Sequence, residues 1–314
     1  MQETNRYKTI NSSVDEIDLR ELFHVLFQGK WIIVSLTAFI SIVGVIYSLS
    51  LPNIYQSRAL LVSVNSSNGI SGALGSYAGL AGLAGISIPS GGEESNASQA
   101  IVKLSSLSFF EENILPNIFL PDLMALKSWD PKTNTLTYDG NIYNKGNDTW
   151  VRDSSNLSSK IPSAQESFRK FSGHLSISED KKTGFITLTI KHQSPFIAKK
   201  WAELLIDQVN TFYREKDKSE SEKSMSYLND QISMTSLSEV KLVIAQLLQE
   251  ETKKLTLIEA NQSYVFDYID PPAVMENKSE PSRAFICILS ALIGGILSVV
   301  LVLLKHYGIR EKLS

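Results

Sequence analysis

A zinc or similar metal needs His, Cys or carboxylate ligands brought together at short helical or loop spacings. The four histidines of this chain, His24, His174, His192 and His306, are scattered and show no such spacing. Paired carboxylates could share a proton in acid–base work, and Glu111-Glu112 and Glu250-Glu251 are adjacent. Neighbours on a helix point apart, so these read as solvated faces. No Ser or Cys sits in a nucleophile elbow. The glycines Gly75, Gly79, Gly82 and Gly85 fall in a Gly/Ala/Ser/Leu/Ile segment, 69–92, that could suggest a phosphate cradle. It lacks both Gly-Lys-Ser/Thr and Gly-x-Gly-x-x-Gly, and reads as a flexible or closely packed loop. The reading is therefore of a non-enzyme, with no catalytic residue, metal site or cofactor assigned.

Two long apolar runs organise the rest. Residues 31–51 and 284–304 each have about the ~20 residues a bilayer-crossing helix needs, and neither holds a charged side chain. A cleaved signal peptide is the rival for the first run, but a true span is the better reading, because some thirty mostly polar residues precede it and Leu49-Ser50-Leu51-Pro52 is a poor cleavage context. Lys30 abuts the first run, and Lys305, Arg310 and Lys312 follow the second, which predicts that both termini are cytoplasmic. The expected layout is a cytoplasmic segment 1–30, a span 31–51, an outer domain 52–283, a span 284–304 and a tail 305–314. Gly44 with Ser48, and Ser290 with Gly294 and Ser298, give small-x-x-x-small faces on which spans could pair.

The outer domain carries mixed signals. A net charge of -3 and a charged fraction of 20% leave no basic stripe for nucleic acid. Cys287, the one cysteine, lies in the second apolar run, so the domain is held by packing without an internal disulfide. A strand is expected over 55–64 and a helix over 98–115, followed by an irregular insertion and a short helix after Pro162. The alternating 175–178 and 186–191 predict a β-hairpin with one apolar face. Ser194-Pro195 then opens a helix, whose stripe of Ile197, Trp201, Leu204, Leu205 and Phe212 would cover that face. Trp201 and Leu205 are the expected packing residues of an α+β base.

From Arg214 to Ser236 the chain is charged, with sparse apolar positions, and cannot be buried in a core. Lys216, Glu220, Glu222 and Lys223 are candidates for contacts along this extension and between copies of the chain. Ser236 to Glu239 fits a capping box, and a second helix would return through Val240, Leu242, Leu247, Leu255 and Ile258. The helical extension is expected over about 195–262. A strand at 264–269 ends at Asp270-Pro271-Pro272.

These residues also carry a resemblance. Asp15-Glu16-Ile17-Asp18-Leu19, Lys30-Trp31, then Pro52 and Tyr55 resemble the start of the Wzz-type chain-length determinant family, as does the glycine segment from Gly79. The block from Glu239 to Pro271 and Pro272, and Pro281-Ser282-Arg283-Ala284, are similar to its end. The resemblance implies a non-catalytic polysaccharide co-polymerase of the bacterial inner membrane. Such proteins form ring-shaped homo-oligomers that set the modal length of O-antigen or related chains, which a separate polymerase builds on undecaprenyl-linked repeats. The fold it implies is two transmembrane helices flanking a periplasmic α+β base with a long helical hairpin.

An adaptor for a separate tyrosine kinase in capsule or exopolysaccharide export is the alternative. About ten residues follow Leu304 and no Walker A motif is present, so a fused kinase is not expected. A two-span sensor would need a cytoplasmic output module, and none is expected.

Overall fold

The computed structural model describes residues 19–64, 96–153 and 159–310. Asp15 to Asp18, the glycine segment 69–92 and Lys312 lie outside the described residues. The chain divides into two units, one holding residues up to Pro52 and from Glu280 onward, the other Asn53–Ser279.

In the first unit, α1 (Leu19–Gln28), α2 (Lys30–Ser50) and α9 (Arg283–Arg310) are helical. Among the described residues, α2 and α9 are the two helices long and apolar enough to cross a membrane. Both keep most of their large apolar side chains exposed, as helices solvated by lipid do. The polar expectation for the N-terminal segment overlooked α1, in which Phe23 and Phe27 stand beside the polar pair His24 and Gln28.

The second unit is built on a four-stranded antiparallel sheet of order β6-β7-β1-β8. Its strands are β1 (Tyr55–Ser63), β6 (Leu175–Glu179), β7 (Ile186–His192) and β8 (Phe266–Asp270). Alternation decides the faces: Tyr55, Ser57, Ala59 and Leu61 of β1 are buried, as are Ile186, Leu188 and Ile190 of β7. β1 runs against β7 from Tyr55↔His192 to Leu61↔Ile186, and pairs with β8 across a register shift at Leu60/Leu61.

The expected helix over 98–115 is interrupted. α3 (Asn96–Leu104) stops, and Ser106 caps α4 (Leu107–Phe109) by accepting from Phe109 N at 3.3 Å. A π-turn (Phe110–Ile114) and a 3-10 turn (Leu115–Asn117) follow and bury Phe110 and Ile114. Ser106 breaks the helix because its Oγ meets backbone groups locally, donating to Lys103 O at 2.7 Å and accepting from Phe109 N. The stretch expected to be irregular is folded. It contains α5 (Leu120–Met124), the hairpin β2 (Leu126–Asp130) and β3 (Thr135–Tyr138), and the short pair β4 (Tyr143–Asn144) and β5 (Thr149–Trp150). Its turns rest on Asn134 and Asp148, both in the left-handed region with φ of 50° and 51°. α6 (Ala164–Ser172) is capped by Ser163, which accepts from Glu166 N, and buries Phe171.

α7 (Pro195–Met234) is one unbroken helix of 40 residues, about 60 Å long at 1.5 Å per residue. α8 (Ser238–Ala260) packs back along it. Only the part of α7 up to Tyr213 joins the core, and only Ile258 of α8 does. Beyond these residues the two helices form an arm whose buried side chains are Ser221 and Ile244.

Two capping expectations and one stripe differ here. Ser194 stands at the N-cap of α7, but its side chain makes no capping bond, and its N–H donates to His192 Nδ1 instead. α8 starts at Ser238 with Leu237 as N-cap, so Ser236 and Glu239 form no capping box. On α8 the inward residues are Ile258, as expected, and Ile244, while Leu242 and Leu247 are exposed. The expected spacing holds at the root of the helix, where Ile258 is buried, and fails higher up, where apolar residues stand around much of the circumference.

Candidate functional site

The described residues offer no group of three or more His, Cys, Asp or Glu placed to hold a metal ion. What they offer is a set of close contacts in the paired helices and at the root of the arm.

In the first unit, α2 and α9 run antiparallel with small residues between them. A Cβ on Gly44 would stand 2.5 Å from Ser290 Cβ and closer still to Ser290 Oγ. One on Gly294 would stand 3.1 Å from Ile40 Cβ and 3.4 Å from Thr37 Cα, whereas one on the neighbouring Gly295 would meet nothing within 4 Å. Ser298 shares a hydrogen bond with Thr37 at 3.2 Å, and Ser48 and Ser298 are fully buried. The structure therefore brings Gly44, Ser48, Ser290, Gly294 and Ser298 together on one seam. This is how helices approach where hydrophobicity supplies no drive between them.

At the root of the arm, Trp201 and Leu205 lie on the buried face of α7. The Trp201 ring packs on Phe171 at 5.6 Å and edge-on to His192 at 4.9 Å, with His174 at 6.1 Å. His192 accepts from Ser194 N at 3.0 Å through Nδ1, which leaves Nε2–H to donate to the Asp122 carbonyl at 3.2 Å. Its ring is neutral in this arrangement, and burial pushes its pKa down to about 4. Burial also lowers that of His174, against a bond to the Lys191 carbonyl that opposes the shift.

Asn210 is the positioning residue that sequence reasoning missed. It is buried on α7 and clamps the entry to β8: Oδ1 accepts from Val265 N at 2.8 Å and Phe266 N at 2.9 Å, and Nδ2 donates to Phe266 O at 2.9 Å. These three bonds admit only one orientation of the amide. A lone Asn in a long helix carries no sequence signal for this role.

Higher on the arm, Lys216, Glu220, Glu222 and Lys223 are all exposed. Lys216 and Glu220 form a loose i,i+4 pair at 3.9 Å. The charges that tie the arm together are others. Lys218 bridges to Glu259 of α8 at 2.9 Å, and the Tyr264 hydroxyl donates to Asp217 at 2.5 Å. Tyr213, Asp217 and Ser221 fall four apart, so the seam could have been traced by continuing the stripe of the base upward.

Among the border residues, Tyr55 is buried and stacks edge-on to Trp129 at 5.2 Å. Pro272 is buried and Pro271 exposed, and Ser57 Oγ donates to the Ala273 carbonyl beyond them at 2.9 Å. Ser279 N donates to Ile54 O at 2.8 Å, which ties the two ends of the second unit together. Pro52 is exposed and Pro281 half-buried in the first unit.

Residues 15–114 match the family described as Wzz, chain length determinant protein. Among solved structures, the chain is similar to a full-length bacterial polysaccharide co-polymerase, at 13% identity and a TM-score of 0.40 over 94% of this chain and 99% of that one. It is also similar to a fragment of WzzB, the polysaccharide co-polymerase from Salmonella Typhimurium, at 14% identity and a TM-score of 0.32, covering 73% of this chain and 100% of that one. No curated protein sequence matches it.

Proposed function

We propose that this chain, a member of the Wzz chain length determinant family, sets the modal length of a bacterial surface polysaccharide, O-antigen, without itself catalysing polymerisation. The observation that carries the reading is the family match over residues 15–114, which runs through the first apolar helix, β1 and the helices that follow. In this reading α2 and α9 span the inner membrane, with both termini cytoplasmic and residues 52–283 in the periplasm. Copies of the chain assemble side by side, with inner-membrane lipid around their spans, and act on a separate polymerase that extends undecaprenyl-linked chains.

The division of the second unit supports this reading. Its base is tightly packed, whereas the arm leaves Glu220, Glu222 and Lys223 exposed to neighbours. Such charges can specify lateral contacts without contributing to the fold. The test is a charge reversal, Glu222→Lys with Lys223→Glu, in cells making the polysaccharide. The modal length is expected to shift while protein abundance and total polymer stay normal. Trp201→Ala is expected to abolish length control through loss of a fully buried ring. If either change stopped polymerisation outright, as loss of a catalytic group would, the co-polymerase reading would give way to that of an enzyme.

A further inference from the structure

α1 is joined to α2 by the single residue Gly29, and its faces are used unequally. Val25 and Gly29 are buried, and a Cβ on Gly29 would stand 2.5 Å from Val302 Cγ1, so one face of α1 is seated on α9. The polar pair His24 and Gln28 lies on another face, with their side chains hydrogen-bonded at 2.9 Å. Between these faces stand Phe23 and Phe27, one helical turn apart and about 70% exposed, followed by Trp31 at 78% at the start of α2.

Large aromatic side chains left this bare need a covering phase. Its identity follows from continuity: the exposed aromatic row of α1 runs through Trp31 into Val34 and Phe39, the exposed apolar surface of a helix read as spanning lipid. Lys30 holds its ammonium 4.2 Å from the centroid of the Phe27 ring. An apolar body with a cation at its rim is how side chains arrange themselves at the headgroup boundary. Amphipathic helices in that position bury their apolar face ~5–10 Å into the headgroup and acyl boundary.

We propose that α1 is a membrane-interface helix whose Phe23 and Phe27 insert into lipid beside the paired spans, with His24 and Gln28 facing water. This rests on the two-span reading of the chain, and the experiment separates the two. The full-length protein, carrying Cys287→Ala, is reconstituted in vesicles of phosphatidylcholine and phosphatidylglycerol with an NBD label at Phe23→Cys or, separately, at Phe39→Cys. Lipid nitroxides placed near the carbonyl or near the methyl end of the acyl chain are compared with aqueous iodide as quenchers.

The label at position 23 should be quenched several-fold more by the shallow nitroxide than by the deep one, and only weakly by iodide. The label at position 39 should favour the deep nitroxide. Strong iodide quenching at 23 with 39 in lipid would place α1 in water, and quenching by neither agent would mean protein, such as a second copy, covers it. Either result overturns the proposal alone. Iodide quenching at 39 would remove the two-span reading and the proposal with it.

Discussion

Gly44→Ala tests the helix seam with one methyl group and has a matched control at Gly295, five residues beyond Ser290 on α9. The added Cβ would lie 2.5 Å from Ser290 Cβ, against an ordinary contact of 3.4–4 Å, and because a Cβ is fixed by its backbone no rotamer change of Ser290 relieves this, so the helices must part by roughly 1 Å. A gap of that size forfeits about a quarter to a half of each dispersion contact on the seam. It also stretches the Thr37–Ser298 hydrogen bond beyond its 3.2 Å, and such bonds in membranes average about 0.6 kcal/mol. The sum is about 1–2 kcal/mol, or about a tenfold fall in the well-paired population.

Gly295→Ala adds the same methyl where nothing lies within 4 Å. Dipolar EPR between labels at Val45 and Leu289, both exposed and flanking the contact, reads the outcome in the Cys287→Ala background. Gly44→Ala should lengthen or broaden the distance distribution, and Gly295→Ala should leave it superimposable on wild type. Equal behaviour of the two variants would refute the seam.

Asn210→Ala would strand two buried N–H groups and one carbonyl at the start of β8, for about 3 kcal/mol at roughly 1 kcal/mol each. Hydrogen exchange should then accelerate at Val265 and Phe266 before the rest of the sheet, and unchanged protection there would contradict the clamp. The His192 pKa is depressed from 6.5 to about 4, so its contribution is fully present above pH 6.5, falls as pH drops towards 4 and levels off below that. The loss is at most about 3 kcal/mol. Urea midpoints measured from pH 7 to 4 should fall more steeply for wild type than for His192→Gln, and parallel slopes would show that the ring titrates normally.

Much of the fold was legible because its signals are periodic or long. The apolar runs, the alternating strands at 175–191 and the stripe from Ile197 to Phe212 each repeat the period of one element. Small residues four apart singled out Gly44 and Gly294, and a Cβ at either would meet the facing helix within 3.1 Å. The β2 to β5 hairpins were not legible, since strands of two to five residues are too short to show a period and their turn residues dominate the composition. The arm was legible as a helix pair but not in its register, because α8 has apolar residues on both its inner and outer sides. α1 was hidden by its ten-residue length, and the roles of Asn210 and Lys218 depend on β8 and α8, which meet α7 only after folding.

The most direct measurement is a gel of surface polysaccharide from a strain lacking this chain, compared with the same strain carrying the full-length protein. The co-polymerase reading predicts that the deletion strain still makes polymer, with an unregulated length distribution, and that the protein restores a modal cluster of bands. Loss of all polymer on deletion, or a distribution indifferent to the protein's presence, would contradict it.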